Sequence, residues 1–209
     1  ILKHKFGVEI ILLVLTILKI TVVYFFFQNL VVFVNGIPEI APGYAWSELV
    51  INMQNGEYFN TSQYSLSEMY DMKFHALRPP LYGTFLFLLT YLGSIAGIVG
   101  VIVQSISTSL IAYFSYRIIK MESVKKIVPF ITLLFVFFLP FNFFKSGSLD
   151  DAVFMLLFLL VGIYCLLKAV EKSKFNSQYV LSGIFFGLAL LSRSAALFVL
   201  FAAVIYVIL

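Results

Sequence analysis

The stretch "HALRPPLYGTFLFLLTYLG", residues 75–93, decides how the chain is threaded through its surroundings. A basic residue and two prolines precede a run of Leu, Phe and Tyr that stops after about a dozen residues, too few for a span of about 20. As a helix, the run would rise only about 20 Å, against a hydrocarbon layer of about 30 Å. Charge gives the same answer. If residues 81–93 do not cross, Lys3, Lys5, Arg117, Lys120, Lys125, Lys126, Lys168, Lys172 and Lys174 fall on one side. The opposite loop, 35–94, then holds only Lys73 and Arg78 against Glu39, Glu48, Glu57, Glu68 and Asp71. If the run crosses, "RIIKMESVKK" (117–126) changes side and the separation collapses. Basic loops stay cytoplasmic, so the segment is expected at the outer interface, a zone that suits Tyr82 and Tyr91.

Composition makes lipid the natural solvent. Of 209 residues, 62% are hydrophobic and 11% charged, with a mean hydropathy of +1.03. Soluble domains carry about 25% charged residues. Ten-residue segments of alternating polarity, the mark of a membrane barrel, are absent from the sequence. The expected fold is an all-α, polytopic transmembrane helical bundle forming one domain over 1–209. A net charge of +4 needs no nucleic-acid partner, because cytoplasmic loops account for it. The single cysteine, Cys165, sits within an apolar run and reads as a small buried hydrophobe. The chain begins at Ile1 and ends within "AALFVLFAAVIYVIL", which reads as the N-terminal part of a longer protein.

Apolar runs place spans near 8–34, 95–118, 127–144 and 151–169. The run 178–209 is long enough for two short passes turning near "LLSRSAA", giving about six spans. The external loop 35–94 is expected to hold one or two short helices and an interfacial helix near 79–93. "GSIAG" (93–97) and "GIFFG" (183–187) are small-xxx-small patterns that permit close helix packing.

This threading brings distant residues to one face. The long loop supplies Glu39, Tyr44, Glu48, Asp71, His75 and Arg78. The turn "FFKSGSLDD" supplies Lys145, Asp150 and Asp151, and the next outer turn supplies Arg193. Acids and bases at a lipid–water boundary suit a reaction on a lipid-linked phosphate. A carboxylate takes the proton of an attacking hydroxyl, and cations stabilise the phosphate as its bond breaks. A divalent metal on paired carboxylates is a further option. Asp150 and Asp151 alone suit it poorly, since neighbouring helical side chains point about 100° apart. Plainer readings stand beside these. Arg78 could anchor the segment to headgroups, and Asp150 and Asp151 could simply complement a helix dipole. Arg193 interrupts an apolar run, where charge is expensive. Glu9 and Lys19 lie in the first span, and Lys19 there calls for a partner.

The pattern resembles the GT-C superfamily of polytopic glycosyltransferases, in its protein mannosyltransferase and aminoarabinose transferase branch. "GYAWSELVINMQNGEYF" resembles the family's first-loop helix, and "LRPPLYGTFLFLLTYLG" its basic-Pro-aromatic interfacial helix. "FNFFKSGSLDDAVFMLLFLL" resembles the second-loop segment that opens a span on an acid, and "GLALLSRSAALFVL" the Gly-rich span ending in a basic residue. The resemblance implies inverting transfer of a sugar from a polyprenyl-phosphate donor to a lipid, glycan or protein acceptor on the outer face of the plasma (inner) membrane, with a cytoplasmic N-terminus. It implies Arg78 and Arg193 as phosphate contacts and Asp150 as the second-loop carboxylate; Tyr44, Lys145 and Asp151, on the same face, are expected to line the substrate. The family's first-loop Asp falls near Ala41 here, and Glu39, two residues earlier, is the candidate base. The alternatives are a non-catalytic protein on the same scaffold, binding a polyprenyl lipid or a partner, and a transporter. The latter places its charges near the midplane, whereas these gather at one face.

Overall fold

The computed structural model describes residues 7–27, 32–34, 37–39, 46–56, 60–61, 74–75, 79–123, 125, 127–171 and 176–208. Helices dominate. The first, α1 (Gly7–Phe27), is long enough at 1.5 Å per residue to cross a bilayer. Its Thr16 and Thr21 hydroxyls donate to the carbonyls of Leu12 and Ile17, at 2.7 and 3.0 Å, which satisfies both within the helix. Ile10, Leu13, Val14, Ile17 and Leu18 are exposed, as a face that meets lipid should be.

Two small antiparallel hairpins follow, which the sequence reading did not anticipate. Strand β1 (Val32–Val34) pairs with β2 (Ile37–Glu39), with Val32 opposite Glu39, and β3 (Asn60–Thr61) pairs with β4 (Phe74–His75). Between the hairpins, α2 (Trp46–Gln54) ends at Asn55–Gly56, where Gly56 takes φ +82° and donates to the Met53 carbonyl. A left-handed glycine is the ordinary way to close a helix.

The opening stretch becomes α3 (Pro80–Thr90), 11 residues long, with Pro80 in its first turn, where a missing N–H costs nothing. A short 3₁₀ turn (Gly93–Ile95) leads into α4 (Ala96–Glu122), the central helix, which packs against α1, α3 and the next three helices. The middle of α4 buries a run of polar side chains, Gln104, Ser105, Ser107, Thr108 and Ser109.

The expected span 127–144 is broken. Helix α5 (Ile127–Phe138) and α6 (Pro140–Ser148) meet at a 46° bend. Pro140 has no N–H to give the carbonyl four residues back and forces Leu139 out of the helical region, to φ −55°, ψ 124°. The orphaned carbonyl is that of Val136, and the Asn142 side-chain amide donates to it. The break is therefore a satisfied structural feature.

Helix α7 (Asp151–Val170) pairs with α8 (Ser177–Ser192), and α9 (Ala196–Ile208) completes the chain beyond a break at Arg193. The close approach of α7 and α8 occurs at Gly162, where a Cβ would stand 3.0 Å from the Phe186 ring; the Ser182 hydroxyl donates to the Gly162 carbonyl at 2.9 Å. Gly183 and Gly187 of "GIFFG" face open space instead, so that pattern does not make the contact. Cys165 is buried among Ile111, Val153, Leu157 and Val161.

Among the described residues, three helices are long and apolar enough to cross a membrane, or four if the bent pair counts as one span. Helices α3, α8 and α9 are apolar but shorter.

Candidate functional site

The site grows from the turn between α6 and α7. Leu149 joins them with φ 48° and ψ 70°, a left-handed conformation that a branched side chain adopts only under constraint. Such a backbone costs on the order of 1–2 kcal/mol and persists where surrounding contacts hold it. Here two contacts do so. Its side chain is buried with Tyr82, Leu86, Leu89 and Phe154, against a Gly100 that leaves just enough room. Its carbonyl accepts from the Tyr82 hydroxyl of α3. Tyr82 is fully buried, and burial first, then the negative charges of Asp150 and Asp151, raise its pKa well above the ordinary phenol value. The hydroxyl therefore stays protonated, as the donor the turn requires.

Tyr82→Phe removes that donor and leaves a buried carbonyl unpaired. A loss of about 1–2 kcal/mol is expected, read as a lower thermal midpoint than wild type in the same detergent. An unchanged midpoint would show that the turn does not depend on Tyr82.

The held turn presents Asp150 at the start of α7. One carboxylate oxygen accepts from the Ala152 backbone N–H at 2.8 Å, which caps the helix. The other accepts from the Lys145 ammonium of α6 in an ion pair. The Asp150 carbonyl accepts from the Gln104 side-chain amide of α4 at 3.1 Å. The next residue, Asp151, pairs with Arg193 at 3.5 Å across from the α8–α9 break. Asp151 is mostly buried, while Arg193 keeps about half its side chain exposed, at 48%. An extended Arg193 backbone, φ −160° and ψ 129°, ends α8 and turns the guanidinium toward α7.

Of the residues the sequence singled out, Lys145, Asp150, Asp151 and Arg193 thus come together as two adjacent cation–carboxylate pairs. Glu39 lies on β2, a strand packed against both α2 and α3. Arg78 and Tyr44 lie outside the described residues, as does Asp71. Among the described residues no group of three His, Cys, Asp or Glu gathers as a metal site would require.

Four buried polar residues complete the surroundings. Gln104 is fully buried, and its carbonyl oxygen has no partner among the described residues, so one acceptor remains open beside the turn. The buried Lys19 finds the partner its position called for in the Thr108 hydroxyl, at 2.6 Å, with the Phe137 and Phe143 rings 5.2 and 4.9 Å away. Thr108 is in turn 2.9 Å from the Ser146 hydroxyl. A polar seam therefore ties α1 through α4 to α6, one turn before the Asp150 bend. Lys19 in an apolar span, and the hydroxyl-rich run "QSISTS" (104–109) in another, are its traces in the sequence.

The geometry offers a place where cations can meet an anion beside carboxylates, at one end of the bundle. A family model described as dolichyl-phosphate-mannose-protein mannosyltransferase matches residues 77–209. That stretch contains both ion pairs and excludes Glu39 and Tyr44. No curated protein and no solved structure matches the chain.

Proposed function

Because the chain belongs to the dolichyl-phosphate-mannose-protein mannosyltransferase family, a family of GT-C-type membrane glycosyltransferases, we propose that it moves a sugar from a polyprenyl-phosphate donor to an acceptor hydroxyl at the outer face of the membrane. The observation that carries this reading is the convergence of Lys145–Asp150 and Arg193–Asp151 on one held turn within the matched stretch.

The chemistry follows from charge. The acceptor oxygen forms a bond to the anomeric carbon while the bond from that carbon to the phosphate oxygen breaks, inverting the centre. The hydroxyl proton passes to a carboxylate, which we assign to Glu39 of the first loop. Polyprenyl phosphate departs with an additional negative charge. Arg193, Arg78 and Lys145 meet that charge, and Asp150 and Asp151 keep Lys145 and Arg193 in place before the donor arrives. Arg193 is suited to the role because its guanidinium forks onto phosphate oxygens and is half exposed. Tyr44 would line the sugar.

In this reading α3 lies along the outer interface, the bent α5–α6 pair is one pass, and α8 and α9 are two short passes meeting at Arg193. The N-terminus is then cytoplasmic and the site faces outward from a plasma (inner) membrane. Gathering the basic loops on one side supports this arrangement.

The test is transfer of labelled sugar from a polyprenyl-phosphate donor by membranes holding the full-length protein. Donor-dependent transfer is expected. Donor binding with no transfer to any acceptor class would overturn the enzymatic reading in favour of a lipid-binding relative.

A further inference from the structure

At the other end of α7, one ring holds two cations. Arg117 of α4 lies over Tyr164 of α7 with its guanidinium carbon 5.2 Å from the ring centroid, and the Lys168 ammonium lies 4.8 Å from the same centroid. The two charges are therefore separated by no more than about 10 Å, about one Debye length at 0.1 M salt. Arg117 donates to the Tyr113 and Tyr164 hydroxyls, at 2.7 and 2.5 Å. One turn along, Lys120 lies 5.4 Å from the Tyr116 centroid and donates to its hydroxyl at 3.2 Å.

Among the described residues these cations form no ion pair. Among the described residues no carboxylate lies within 4.0 Å of any of the three, although Glu122 and Glu171 are near in sequence. Glu9 accepts from the Tyr113 hydroxyl at 3.4 Å, and its charge acts on Arg117 from beyond that hydroxyl without pairing with it. Lys168 has no hydrogen-bond partner among the described residues, so all three of its donors are open. Arg117 uses two of its five N–H groups on tyrosines, leaving three. Helix C-termini favour cations, which accounts for the positions of Lys120 and Lys168 but leaves these donors unused. Like charges brought together with spare donors make a receptor for an anion.

We propose that Arg117, Lys120 and Lys168, framed by Tyr113, Tyr116 and Tyr164, bind the phosphate headgroup of an anionic phospholipid. The ligand is a lipid because the cluster ends two membrane-length helices, α4 and α7, at the depth where tyrosines and basic residues meet headgroups. Lys168 stands about 27 Å along α7 from Asp150, so this site belongs to the opposite leaflet from the proposed transfer site and does not depend on that reaction.

The experiment uses purified full-length protein in neutral detergent, titrated with phosphatidylglycerol or phosphatidylcholine and read by native mass spectrometry for retained lipid and by thermal midpoint. Wild type is expected to retain phosphatidylglycerol and gain stability from it, with no comparable effect of phosphatidylcholine. Lys168→Gln should weaken retention about fivefold, and Arg117→Gln with Lys168→Gln about twentyfold or more. If the double variant does not fold, Lys168→Gln and Lys120→Gln carry the comparison, since neither side chain is in an ion pair among the described residues. Equal retention of the two lipids, or retention unchanged in the variants, would overturn the proposal. So would equal stabilisation by inorganic phosphate alone, which would make the ligand a free anion.

Discussion

Asp150→Asn is expected to lower sugar transfer by about 10²- to 10³-fold while leaving the protein folded. Asn caps a helix as well as Asp does, so the Ala152 N–H keeps its acceptor and α7 still starts at the same place. What is lost is the charge that holds the Lys145 ammonium. A cation released into water must be reorganised as the phosphate charge develops. Losing one such preorganised group typically costs about 10²- to 10³-fold in rate. The measurement is kcat/KM for labelled-sugar transfer, beside a thermal midpoint close to wild type. Wild-type transfer in Asp150→Asn would remove this turn from the reaction.

Arg193→Gln should separate function from stability more sharply still. Its ion pair with Asp151 involves a side chain 48% exposed at a distance of 3.5 Å, and screened pairs of this kind contribute little to folding. A charge-assisted hydrogen bond to a phosphate contributes about 1.5–3 kcal/mol, or about 10- to 150-fold. The expected result is a drop of that size in kcat/KM, most of it in the KM for the polyprenyl-phosphate donor, with the thermal midpoint nearly unchanged. An Arg193→Lys variant should recover part of the loss, because it restores the charge without the fork. If Arg193→Gln loses stability but transfers sugar normally, the residue is structural.

Much of this arrangement was legible because charge is rare in the chain. Arg193 marked the break between α8 and α9, since a guanidinium in an apolar run has to sit at a turn or a partner. Pro140 carried the signal for the α5–α6 bend, yet the span had been read straight through it. The apolar residues on both sides outweighed one proline, and the Asn142 amide that heals the break is recognisable only in three dimensions. Leu149 gave no signal at all. Its left-handed backbone would ordinarily be advertised by glycine, and here long-range packing against Tyr82 and Gly100 enforces it. Tyr82 itself was read as an interfacial aromatic, because a hydroxyl aimed at a carbonyl 67 residues away leaves no local trace. Lys19 was recognised as needing a partner, but Thr108 lies 89 residues on. The hairpins around residues 32–39 escaped notice because three-residue strands are too short to show a period.

The central claim is that the donor phosphate sits at the α6–α7 turn. It is tested most directly by photo-crosslinking full-length protein with a polyprenyl-phosphate sugar that carries a photoreactive group next to the phosphate, followed by peptide mapping. Labelling should fall within residues 145–151 and around Arg193, and excess unlabelled donor should remove it. Labelling confined to the opposite end, around Arg117 and Lys168, would contradict the account.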